Sequence, residues 1–155
     1  MRILEPDCID GRTGPDEAVL DTLCVAPLFA GMARHEVRDV MGCFDEESFN
    51  AGHRIVLEGM RGVDFFIVTS GMAEVSVDRR WVATLRAGDF FGELGVLGDG
   101  LRFATVSAQT PLRCLVLPNR RLEDLILRHP VLSRNLLREV VARFHDLATR
   151  RPHRA

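Results

Sequence analysis

Gly88-Asp89-Phe90-Phe91-Gly92-Glu93-Leu94-Gly95-Val96-Leu97, continued by Gly98-Asp99-Gly100-Leu101-Arg102-Phe103-Ala104-Thr105-Val106, is the stretch on which the reading of this chain turns. A strand ends at Leu85, and Ala87-Gly88-Asp89 supplies a turn. Gly92 lacks a Cβ, so a ligand can come close to the backbone there. Glu93 to Leu97 suits a short helical turn, and free N–H groups at its start favour an anion. Nine residues after Glu93 comes Arg102, whose fixed fork of donors suits phosphate oxygens. Ala104 and Thr105 open the next strand, and Thr105 carries a hydroxyl.

Glu93 is odd in a simple phosphate site, because its carboxylate repels the anion. It makes sense if the phosphate carries a sugar with a free hydroxyl. The carboxylate then accepts that hydrogen bond while Arg102 offsets its charge. An anion cradle beside a hydroxyl acceptor fits a ribose cyclic phosphate.

Outward from this stretch, the texture from Glu46 to about Pro118 is short segments rich in Val, Ile, Phe and Thr, separated by glycines. Strands are expected at Glu47–Asn50, Arg54–Leu57, Phe65–Ser70, Ala73–Asp78, Trp81–Leu85, Ala104–Ala108 and Arg113–Leu117. Ala73, Val75 and Val77 alternate with Glu74, Ser76 and Asp78, the pattern of a half-buried strand. Gly52, Gly59, Gly71 and Gly88 fall between strands as turn residues. Helices flank this middle. Asp16–Cys24 and Ala33–Cys43 precede it. Arg120–Arg128 follows, with Asn119 as its expected N-cap. After Pro130, the residues Leu132, Leu136, Leu137, Val140, Val141, Phe144 and Leu147 form the apolar stripe of a last helix.

The chain has 155 residues, which fits one domain. A net charge of −2 gives no basic face for nucleic acid, although all 20 basic residues are Arg. Cys8, Cys24, Cys43 and Cys114 are widely spaced and read as buried free thiols in a reducing cytoplasm. The scattered histidines His35, His53, His129, His145 and His153 make no metal cluster of the cupin kind. Met1 to Gly14 lacks the apolar core of a signal peptide, and no apolar run reaches bilayer length. No Ser-His-Asp or Cys-His arrangement is visible, so the expectation is a protein without catalysis.

These residues carry a resemblance. Phe91-Gly92-Glu93-Leu94 with Arg102-x-Ala104-Thr105 at this spacing resembles the phosphate-binding cassette of cyclic-nucleotide-binding domains. Those include the regulatory subunits of cAMP-dependent kinase, cyclic-nucleotide-gated channels and the catabolite-activator family. The likeness extends from about Leu28 to Phe144. It takes in Gly52, Glu58-Gly59, Asp64-Phe65-Phe66-Ile67-Val68, Ser70-Gly71 and Leu85-x-x-Gly88-Asp89. It implies that Gly92 and Leu94 donate backbone N–H groups toward phosphate or ribose. It implies that Glu93 takes the ribose 2′-hydroxyl and that Arg102 pairs with an exocyclic phosphate oxygen. Ala104 and Thr105 would add an N–H and a hydroxyl, and Phe144 lies where the last helix often closes over the pocket. Phe103 departs from the family, which usually has a small residue there that helps separate adenine from guanine.

The resemblance and the pattern together give an α+β fold: an antiparallel β-roll of eight strands, jelly-roll-like, flanked by N- and C-terminal helices. Residues 1–27 form a lead-in with a short helix, 28–149 the cyclic-nucleotide-binding domain and 150–155 a flexible tail. The expected role is a cytoplasmic, non-catalytic sensor of a 3′,5′-cyclic nucleotide. cAMP is the first candidate ligand and cGMP the second, with no metal and no cofactor. Binding would be relayed by the C-terminal helices, which could also pair two chains or dock a regulated partner. Too few residues follow Phe144 for a helix-turn-helix unit, so a stand-alone sensor or a fragment of a larger regulator is expected. The alternative is a chain that keeps this fold as an interaction module and has lost the nucleotide.

Overall fold

Eight strands form among residues 16–149, which the structure, a computed structural model, describes. They are β1 (Asp45–Phe49), β2 (Arg54–Val56), β3 (Phe65–Ser70), β4 (Ala73–Val77), β5 (Arg80–Leu85), β6 (Phe90–Phe91), β7 (Thr105–Ala108) and β8 (Leu112–Leu117). They pair into two four-stranded sheets, β1-β8-β3-β6 and β2-β7-β4-β5, and every pairing is antiparallel. The expected lead-in before Asp16 and the tail from Arg150 lie outside the described residues.

Burial explains the two-sheet arrangement. In β3, Phe65, Phe66, Ile67 and Val68 are all buried in succession, so this strand is covered on both faces. Phe66 and Val68 point into the roll with Val106, Leu112, Cys114 and Val116. Phe65 and Ile67 point the other way, with Leu115 and Leu117, into a second core shared with the helices. The first sheet is therefore the middle layer between the second sheet and the helices.

The helical layer comprises α1 (Glu17–Cys24), a 3-10 turn at Pro27–Phe29, and α2 (Arg34–Met41). It continues after the roll with α4 (Arg121–Arg128) and α5 (Pro130–Thr149), while α3 (Glu93–Leu97) is the short helical turn inside the decisive stretch. Asp16 caps α1, its carboxylate accepting the Ala18 N–H at 3.0 Å. Leu20, Leu23, Phe29, Val37, Leu122, Leu125, Leu132 and Leu136 close the helical core over β3 and β8. Asn135, buried in α5, donates its side-chain amide to the carbonyls of Leu28 (2.9 Å) and Ala30 (2.8 Å), tying the last helix to the 3-10 turn.

Two local expectations change. Asn119 is not the cap of α4: Asn119 and Arg120 both adopt left-handed backbone, at φ 56° and 58°, and Arg120 holds the cap position. The Asn119 N–H instead donates to the Asp64 carboxylate at 3.3 Å. Pro130 does not only end α4, since it starts α5, where a missing N–H costs nothing.

Candidate functional site

The decisive stretch folds as β6, a left-handed Gly92, α3 and a loop that leads through Arg102 into β7. Gly92 stands at φ +92° as the residue before α3. A Cβ there would also lie 2.5 Å from the Asp64 carbonyl oxygen, so glycine is needed for conformation and for space. The turn sets Glu93 inward and Leu94 outward: Glu93 is 5% exposed and Leu94 41%. The N–H groups of Leu94 and Gly95 fall in the first turn of α3, where no helical partner exists for them.

Arg102 is brought to this turn. Its residue is 8% exposed, and its guanidinium donates from Nη1 to the Gly92 carbonyl and from Nη2 to the Asp64 carbonyl, both at 3.0 Å. Burial works against its charge while the Asp64 and Glu93 carboxylates favour it, and a guanidinium remains cationic throughout. Two of its donor directions are used by these main-chain carbonyls. Asp64 therefore serves two neighbours, its carbonyl holding Arg102 and its carboxylate holding the entry to α4.

The charge balance at Glu93 differs from the one read in the sequence. Arg102 was expected to offset the carboxylate. Its nearest cation is Arg143 of α5, whose Nη1 donates to Glu93 Oε1 at 3.2 Å. Arg143 also donates from Nη2 to the Phe90 carbonyl at 2.6 Å and lies 4.0 Å from the Phe90 ring centroid. Burial pushes the Glu93 carboxyl above its ordinary range, Arg143 pulls it back, and Arg102 acts more weakly in the same direction. Arg143 is the site residue that the sequence reading missed. The available signal was its spacing, three residues after Val140 and seven after Leu136 on the core-facing side of α5.

The remaining expected residues are placed unevenly. Ala104 and Thr105 are half-buried at the start of β7, and the Thr105 hydroxyl accepts the Glu58 N–H at 3.1 Å, keeping its own proton to donate. Phe103 is 67% exposed beside Arg102. Phe144 is 72% exposed on the outer turns of α5 and does not pack on the turn. Gly92, Glu93, Leu94 and Arg102 are thus brought together, while Phe144 stands apart. Among the described residues no three His, Cys, Asp or Glu side chains gather as metal ligands, and no helix is long and apolar enough to cross a membrane.

A family model described as the cyclic nucleotide-binding domain matches residues 46–129, more than half of the chain. The cGMP-dependent protein kinase of Eimeria tenella is 37% identical over 97 residues, covering 61% of this chain and 10% of that protein. The cAMP-dependent protein kinase regulatory subunit of Yarrowia lipolytica is 34% identical over 93 residues, covering 59% of this chain and 25% of that protein. Among solved structures, the catabolite activator protein of Thermus thermophilus superposes with a TM-score of 0.74 at 28% identity, over 80% of this chain and 61% of that one. The match with the two kinase relatives thus takes in a tenth to a quarter of their length.

Proposed function

The chain belongs to the cyclic nucleotide-binding domain family, and on that premise we propose that it is a non-catalytic sensor of a 3′,5′-cyclic nucleotide, cAMP ahead of cGMP. The cyclic phosphate would lie between Arg102 and the N–H groups of Leu94 and Gly95. Thr105 would donate its hydroxyl proton, and the ribose 2′-hydroxyl would donate to Glu93. The observation that carries the reading is the meeting of a buried cation and a buried carboxylate on one glycine turn. The Arg102 guanidinium reaches the Gly92 carbonyl, and Glu93 is the next residue. That pairing suits a ligand bearing both a negative phosphodiester and a hydroxyl donor. The kinase activity in the relatives' names is not carried over, since the shared portion is a small part of each.

The relay would run through contacts that leave the turn in two directions. Arg120 donates from Nη1 to the Val96 carbonyl at 2.9 Å, joining α3 to α4. Arg143 joins Glu93 to α5. A nucleotide taking the Glu93 oxygen that Arg143 leaves open would favour the arrangement in which α5 is held down. A ligand shifts a conformational equilibrium only through such a difference in affinity. Two observations favour the alternative of a nucleotide-free interaction module: Glu93 already has a partner, and Leu137, Val141 and Phe144 are exposed along α5.

Calorimetric titration with cAMP and cGMP separates the two. Saturable binding is expected, weakened about 10- to 100-fold by Arg102→Ala, the loss of a charge-assisted contact. No heat with either nucleotide, or binding indifferent to Arg102→Ala, would leave the interaction module as the better reading.

A further inference from the structure

The Arg102 guanidinium lies in a slot kept open by two glycines that their own backbones do not require. The described glycines with left-handed φ are Gly31, Gly52, Gly59, Gly71, Gly88, Gly92 and Gly100; Gly62 and Gly95 are not among them. A Cβ on Gly62 would have as its three nearest neighbours atoms of Arg102 alone, with Nη2 at 2.7 Å and Cζ at 2.9 Å. A Cβ on Gly95 would come within 2.9 Å of Arg102 Nη1 and of the Gly62 carbonyl oxygen. The two glycines thus flank one guanidinium, one from the loop before β3 and one from α3.

The main chain keeps that slot at fixed width. Arg102 N–H donates to the Met60 carbonyl at 2.9 Å, Gly59 N–H to the Arg102 carbonyl at 2.9 Å, and Gly62 N–H to the Gly100 carbonyl at 2.8 Å. Arg61 and Leu101 form an isolated antiparallel bridge between the same segments. The root of Arg102 is therefore fastened to the loop that carries Gly62. A side chain added at Gly62 cannot be accommodated by the two segments drifting apart without breaking these bonds. The guanidinium, at the far end of a flexible stem, is what must give way.

We infer that Gly62, which lies outside the Phe91–Thr105 segment, is a positioning residue for Arg102, and that with Gly95 it fixes the direction in which the guanidinium offers its remaining N–H groups to a phosphate. The ligand named here rests on the cyclic-nucleotide reading; the steric relation between Gly62 and Arg102 does not.

The test is a double-mutant cycle on the full chain: the unsubstituted protein, Gly62→Ala, Arg102→Ala and the double variant. Each is titrated with cAMP and cGMP by calorimetry and melted without nucleotide. Gly62→Ala is expected to weaken binding about tenfold or more, and to add nothing once Arg102→Ala has emptied the slot. Gly95→Ala, which places a better helix former in α3, should weaken binding in the same manner and, in the Arg102→Ala background, keep only the part that its contact with the Gly62 carbonyl oxygen causes. A glycine needed only for folding would reduce binding equally in both backgrounds, and that result overturns the inference. So does nucleotide affinity unchanged by Gly62→Ala. If the unsubstituted protein binds neither nucleotide, the functional reading fails and the melting cycle decides the inference. Gly62→Ala must then lower the melting temperature with Arg102 present and leave it unchanged in the Arg102→Ala background, whereas additive shifts refute it.

Discussion

Arg143→Ala should destabilise the chain in a way that grows with pH. The substitution leaves the Glu93 carboxylate, 5% exposed, without its partner at 3.2 Å, and removes the 2.6 Å bond to the Phe90 carbonyl. Breaking a fully buried ion pair by removing one member costs roughly 3–5 kcal/mol. The Arg143 side chain is 32% exposed, so water screens the pair, and about 2–3 kcal/mol is expected near neutral pH. Burial raises the Glu93 carboxyl above its ordinary value of 4.5, and Arg143 opposes that rise. A raised carboxyl holds its proton more tightly folded than unfolded. Its contribution is complete below about pH 4.5 and is lost as pH climbs through the folded value. Without Arg143 the folded value rises further and more stability is lost on the alkaline side. Urea denaturation followed by far-ultraviolet circular dichroism, at about pH 4 and about pH 7, should show a small loss at the lower pH and the larger one at neutrality. Glu93→Gln combined with Arg143→Ala should leave only the pH-independent part, from the Phe90 carbonyl and the ring contact. A loss of equal size at both pH values would refute the assignment of Arg143 as the counter-charge of Glu93.

Asn135→Leu keeps the volume but strands the Leu28 and Ala30 carbonyls, and should cost about 1–3 kcal/mol in urea denaturation; an unchanged midpoint would mean that those carbonyls find water instead. Gly92→Ala must hold an L-residue at φ +92° with its Cβ against the Asp64 carbonyl, so it should lower stability by about 1–3 kcal/mol and weaken nucleotide binding in calorimetry. A variant that binds and unfolds like the parent would show that the turn adopts another conformation.

The roll was legible because its strands are made by patterns a sequence displays: alternation in Ala73–Val77, glycines at the turns, and the solid apolar run of β3. β6 was not, because two residues, Phe90 and Phe91, are too few to show a period. The α5 stripe was read as one face, yet it spans two. Leu132 and Leu136 are buried, whereas Leu137, Val141 and Phe144 are exposed, as a rotation of about 100° per residue requires. That division puts Arg143 on the inward side, but its partner lies fifty residues earlier in the chain, a separation no local pattern encodes. The acceptors of Arg102 were hidden for another reason. Both are main-chain carbonyls, which every residue has, so no side-chain motif announces them. The motif named the arginine, and only the fold shows that Gly62 stands against it.

Phe90 and Phe91 explain why a disturbance at the Gly92 turn should travel to the helices. The two neighbours belong to different cores: Phe90 to the one beneath the helices, Phe91 to the interior of the roll. Phe91 stacks on Phe66 with ring centroids 4.6 Å apart, and Phe90 carries Arg143 over its ring. Interiors at crystal-like density do not let a strand slide, so β6 cannot absorb a shift of the turn without opening one core or the other. The compliant direction is forward, through α3. Its Val96 carbonyl is held by Arg120 at the start of α4, and α4 is followed directly by α5. Arg120 and its neighbour Asn119 occupy left-handed backbone, which L-residues leave readily once the contacts that hold them change. In the proposed relay, a nucleotide that draws Arg102 or the 92–95 turn toward itself would therefore act on the junction between the roll and its last two helices before it acts on either core.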